Sequence, residues 1–196
     1  TTRAITAGSS LVSSFSLDPI NDGFKEFEVN ANSIQTILAN TADKGTTLNE
    51  VTDALDNLNE YADKTIYNFS QMAKNIGTFT AAGVNLVDAK NSIKGIANLA
   101  AMAGSSADQA SAVMYQLSQA MSAGKVSAQD WLSVNNAGIG GPLQKQLFES
   151  AKALHQLNDV PLNTTFDEWI KSGGNFKAAM EDGVFTSDVL KLALKA

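Results

Sequence analysis

The chain has 196 residues, 44% of them hydrophobic and 17% charged, which is enough to bury a core and too apolar for a disordered acidic tail. Twenty acidic against fourteen basic residues give a formal net charge of -6, which argues against a non-specific grip on a nucleic-acid backbone. No cysteine is present, so disulfides, thiol nucleophiles and zinc–thiolate sites are excluded.

Residues 1–17 read as a Ser/Thr-rich arm, extended or a frayed helix, whose apolar content at Ile5, Leu11, Val12, Phe15 and Leu17 suggests that it docks on something. Asp18-Pro19 is a helix start, the aspartate as N-cap and the proline in the first turn. Ile20, Phe24, Phe27, Ala31, Ile34 and Leu38 then recur at alternating four and three, a coiled-coil-like seam. Gly23 and Val29-Asn30 weaken that helix, and a local strand over Phe27 to Val29 is the alternative. Gly45-Thr46-Thr47 separates it from a second helix, for which Thr47 and Glu50 form a capping box. Leu48, Val51, Leu55, Leu58 and Ala62 make its apolar seam, and Glu50, Asp53, Asp56, Glu60 and Asp63 fall on the opposite side. Such a row of carboxylates can bind cations or a basic partner, but its usual fate is solvent. After a connector over Thr65 to Tyr67, Asn68 and Gln71 cap a helix with Phe69, Met72, Ala73, Ile76 and Phe79 inward, a pattern of core filling more often than of a ligand pocket. Gly77 inside this helix costs about 1 kcal/mol against alanine, which points to a neighbouring helix packed close to it.

Residues 84–142 form a hub of three helix signals. The first carries Ile93, Ile96, Ala97 and Ala100 on one stripe and ends at Gly104. The second opens with a Ser106/Gln109 capping box, places Ala110, Val113, Met114, Leu117 and Met121 on one face and closes at Gly124. The third runs from Ser127, with Asp130 three residues on, to Gly138. The short Gly104-Ser105 connection predicts that the first two pack antiparallel. Beyond the hub, Leu143, Leu147, Ala151 and Leu154 mark a helix from Pro142 to about Leu157, and Val160-Pro161-Leu162 is a linker. Three short helices follow, around Phe166, Trp169 and Ile170, around Phe176, Ala179 and Met180, and through Val189, Leu190, Ala193 and Leu194. Glycines join them into a small helical lobe.

The candidates for chemistry are few. The lone histidine, His155, lies on a polar–apolar boundary and cannot make a metal site by itself. Gly138-Ile139-Gly140-Gly141-Pro142 is the one glycine cluster able to cradle a phosphate, but it lacks the lysine and Ser/Thr of a P-loop, so it reads as an elbow between helices. Glu149 and Glu168 would have to carry any glycan cleavage, and neither has a setting that raises a carboxyl pKa. Ile96 to Gly104, the longest weakly polar run, is about half the roughly 20 residues needed to cross a bilayer. The chain starts at Thr1 and stops within a helix, as a piece of a longer protein would.

Tyr67–Met72, Asn75–Val84, Ile93–Ala100, Ala112–Ala120, Trp131 and Val134–Gly141, in that order, resemble the tape-measure domain of the tail tape-measure proteins of long-tailed bacteriophages and prophages. Each piece alone is only a capped, alanine-rich helix, and their order carries the resemblance, which runs from about Asp18 to the chain end. It implies a structural role in tail assembly and tail length determination inside the tail tube of the virion, by a protein made in the host cytoplasm. It also implies tail-tube, tail-tip or tail-assembly chaperone proteins, and copies of itself, as partners. The residues themselves give an all-α fold, an antiparallel bundle of short-to-medium helices, divided as arm 1–17, core 18–158 and C-terminal lobe 159–196. No catalytic, cofactor-binding or metal-binding residue is assigned, no specific nucleic-acid binding or membrane span is expected, and the chain is read as no enzyme. A membrane-active helical domain aiding DNA delivery and a cell-wall glycan-cleaving domain are the alternatives.

Overall fold

The computed structural model describes residues 21–195, with side chains from Ala31 onward. The arm, the Asp18-Pro19 start and the side chains of Ile20, Phe24 and Phe27 lie outside the described residues. Among those described there are ten α-helices and no strand, so the chain is an all-α bundle. The strand alternative at Phe27 to Val29 is corrected, because these residues are helical within α1 (Asn21–Thr41). By backbone contacts the chain forms two compact units, residues 1–90 and 91–196.

The first unit holds α1, α2 (Leu48–Ala62) and α3 (Phe69–Ala81). Thr47 and Glu50 form the expected capping box at the start of α2, and Asn68 accepts the Gln71 amide at the start of α3. Val51, Leu55 and Leu58 of α2, Met72, Ile76 and Phe79 of α3, and Ile34 and Ile37 of α1 are all buried and form the core of this unit. Each such side chain contributes about 1.5–3 kcal/mol by leaving water. On α1 the buried apolar residue of the last turns is Ile37, while Leu38 is only half-buried, so the strict four-three seam drifts by one position there. The close approach expected at Gly77 is present. A Cβ there would lie 3.2 Å from the Thr36 methyl, and Asn40 donates to the Gly77 carbonyl (3.3 Å) and to Thr80 Oγ1 (3.2 Å).

Helix α4 (Leu86–Ala103) runs through the division between Lys90 and Asn91. The second unit adds α5 (Ala107–Ala123), α6 (Ala128–Asn136), α7 (Gly140–Ala153), α8 (Phe166–Lys171), α9 (Phe176–Glu181) and α10 (Ser187–Ala193). Capping boxes open α5, α6 and α8, and Gly124 closes α5 at φ +85°, a conformation open to glycine. The face Ala110, Val113, Met114, Leu117 and Met121 is buried throughout. The helices nearest to α5 are α6 and α10, rather than α4 as the short connection predicts. The reason is local. Buried Ser105 donates its hydroxyl to the Ala137 carbonyl, and Gly138 faces the Ala103 methyl, so the end of α4 turns onto the α6–α7 junction. Val126 N–H donates to the Phe185 carbonyl (2.9 Å) and Ser187 N–H to the Gly124 carbonyl (2.8 Å), tying the α5–α6 turn to the α9–α10 turn.

Helices of six or seven residues are marginal alone. Here α8, α9 and the turn into α10 are held by a run of ring contacts: Trp131 on Phe176 (4.8 Å), Phe176 on Phe185 (4.5 Å), Phe166 on Trp169 (5.9 Å) and Trp169 on Phe148 (5.0 Å).

Candidate functional site

Among the described residues, the chemistry-bearing side chains within each unit do not gather into one site. Glu168 is the N3 residue of α8, and its carboxylate accepts from the Thr165 amide (2.8 Å) and hydroxyl (2.8 Å). Those donors hold its carboxyl below the usual range, the opposite of what a general acid needs. Glu149 is exposed and pairs with Lys152 at 2.8 Å. His155 is exposed and follows α7 rather than lying on it, which corrects the expected helix extent to Leu157. It has φ +54° and takes the place a glycine usually fills. Its N–H donates to the Lys152 carbonyl while Gln156 N–H donates to the Ala151 carbonyl (2.8 Å), and together these close the helix.

The glycine cluster is a packed junction. Gly138 ends α6, but Gly140, Gly141 and Pro142 are already the first turn of α7, so Pro142 stands two residues inside the helix it was expected to open. A Cβ on Gly140 would overlap the Asn135 side-chain amide, so the glycine there serves close packing at the junction. The carboxylates Glu50, Asp53, Asp56, Glu60 and Asp63 are all exposed, and Glu50 is spent on the Thr47 cap. Among the described residues no three His, Cys, Asp or Glu groups are placed to hold a metal ion. Met72, Ile76 and Phe79 are core. In the small-residue run from Gly95, the glycine lies against the Leu194 carbonyl, and no described helix is long and apolar enough to cross a membrane.

What the second unit does present is apolar surface. One groove of about 480 Å³ is lined by Trp131, Leu132, Ile170 and Phe176, with Leu132 60% exposed. Another, of about 720 Å³, is lined by Leu99, Met102, Pro142 and Ala193, with Met102 78% exposed. Both linings are mostly apolar, with one lysine each, Lys177 in the first and Lys145 in the second.

One residue escaped the reading of the sequence. Lys152 is 4% exposed, and its ammonium donates to the carbonyls of Leu162 (3.1 Å) and Thr164 (2.5 Å) besides pairing with Glu149. The signal was available, because Lys152 follows Phe148 by four residues and so stands on the buried stripe of α7.

No curated protein and no solved structure matches the chain significantly. A family model described as tape measure protein matches residues 25–196. That span takes in every described helix apart from the first residues of α1, and the chain therefore belongs to the tape measure protein family, a structural family of the bacteriophage tail.

Proposed function

We propose that this chain is a folded anchoring or assembly-nucleating module of a tail tape-measure protein, acting in tail assembly and length determination. The observation that carries the reading is the break-up of the chain into short helices. As one continuous helix 196 residues would span roughly 290 Å at about 1.5 Å per residue, but the longest helix described has 21 residues. Capping residues and glycines fold the rest back on itself, so the segment adds little length. Its apolar grooves are the places where tail-tube, tail-tip or tail-assembly chaperone proteins, or further copies, would dock. In this reading the protein is made in the host cytoplasm and ends in the lumen of the tail tube.

In-frame deletion of the segment from its parent gene, with tail lengths measured by electron microscopy, tests the proposal. Loss of tails while the truncated protein is still made is the expected result. Tails shortened by roughly 290 Å would show an extended ruler and overturn it. Tails of normal length that fail to infect would also overturn it and move the role to DNA delivery.

A further inference from the structure

Between Ala153 and Thr165 no side chain is buried; Leu157, Val160 and Thr164 are half-buried and the rest are exposed. A stretch this long with no core of its own is normally loose. Here it is pinned from below. Lys152 reaches out of the buried stripe of α7 and places all three of its protons, on the Leu162 carbonyl, the Thr164 carbonyl and the Glu149 carboxylate. The ammonium also lies 4.7 Å from the centre of the Phe148 ring. Two backbone turns shape the stretch further, Val160 N–H to the Leu157 carbonyl (3.2 Å) and Thr164 N–H to the Pro161 carbonyl (3.0 Å). A lysine is rarely this buried, because dehydrating its charge is costly unless that charge is paired.

We propose that Lys152 is a clasp, and that residues 154–164 are a strap which it fastens and which opens as one piece when the charge is removed, with the helices on both sides still folded. Lys152 acts here as a positioning residue. Its aliphatic stem packs as part of α7, and its ammonium orders the strap that leads into the Thr165 cap of α8. The inference does not depend on the role of the chain in the tail.

The test is amide hydrogen exchange on the full 196-residue chain. Lys152→Met keeps a stem of similar shape and removes the charge. Exchange at Val160 and Thr164 is expected to rise roughly tenfold or more, while Val113 and Leu117 in α5 keep their protection. Glu149→Gln, at a side chain 55% exposed, leaves an acceptor but no charge, and a smaller rise at the same amides is expected. Lys145→Met, which breaks an exposed pair with Asp167, should leave them unchanged. Unchanged exchange at 160 and 164 in Lys152→Met overturns the proposal. So does an equal rise throughout the second unit, which would make Lys152 part of the core rather than the fastener of a strap. If Lys152→Met does not fold, Glu149→Gln decides, and no rise there overturns the clasp.

Discussion

Gly95 and Gly77 both lie inside helices, and a methyl group at each would meet a different kind of neighbour. At Gly77 the neighbour is the Thr36 methyl, the end of an exposed side chain that can turn aside. At Gly95 it is the Leu194 carbonyl, part of the backbone where α10 ends. Alanine gains about 1 kcal/mol of helix propensity over glycine at either position. Gly77→Ala is therefore expected to fall within about 1 kcal/mol of the parent in urea unfolding. Gly95→Ala must push two backbones apart, and overpacking of that kind costs about 1–3 kcal/mol or more. A net loss of about 1–2 kcal/mol is expected for Gly95→Ala, measured as a lower midpoint at unchanged slope. Equal stabilities for the two variants would contradict the backbone contact. The sequence shows that Gly77 needs close packing, since a glycine inside a strong apolar stripe has few other uses. It cannot show which residue approaches Gly95, because that partner lies far along the chain.

At the level of the helix, the ends are written locally and were legible. The boxes Thr47/Glu50, Ser106/Gln109, Ser127/Asp130 and Thr165/Glu168 each close within four residues, so no distant partner is needed to recognise them. The start of α7 was less legible, because two glycines before Pro142 look like a turn until the Asn135 amide is seen against Gly140. Lys152 is hidden by its residue type, which favours solvent, although its spacing after Phe148 places it on the inward face. The caps matter most where the helix is shortest. Thr165→Ala, at the head of the six-residue α8, is expected to cost about 1 kcal/mol in thermal unfolding. The same cap sets a pH dependence. The Thr165 backbone and side-chain donors hold the Glu168 carboxyl below its ordinary value, and the Thr47 donors do the same for Glu50. A carboxyl with a depressed folded-state pKa adds stability that is complete above its unfolded-state value and is lost as the pH falls through the folded one. The melting temperature of the parent should therefore drop as the pH falls from about 5 to about 3. Glu168→Gln keeps the capping geometry without the titration, so its acid limb should be flatter, and flatter still with Glu50→Gln. An identical acid limb in the double variant would count against these caps as its source.

For the whole molecule, helix content and the buried faces of the described helices were legible, because both follow from local pattern. Glycine-rich joints from residue 159 onward mark where the backbone bends, and that is a local property. Which helices share a core depends on contacts distant in sequence: α10 packs on α7 and α5, so the short C-terminal helices belong to the same unit as Asn91 to Ala153. Charge is read from the sequence more directly. Residues 1–90 hold eleven acidic and six basic residues, and residues 91–196 hold nine and eight. In the first unit the exposed row on α2 is entirely acidic. The second is closer to balance, but Lys152 is buried, and Lys145, Lys177 and Lys191 each pair with a carboxylate. Grip on DNA by its backbone requires several lysines or arginines able to release counterions together, and non-specific dissociation constants at physiological salt are then about 10⁻⁴–10⁻⁶ M. Among the described residues neither unit offers such a stripe. In an electrophoretic mobility assay at about 0.15 M salt, a duplex should migrate unchanged up to roughly 100 μM of the chain. A shift below that concentration, weakening steeply with added salt, would show a phosphate-binding surface that the charge distribution does not provide.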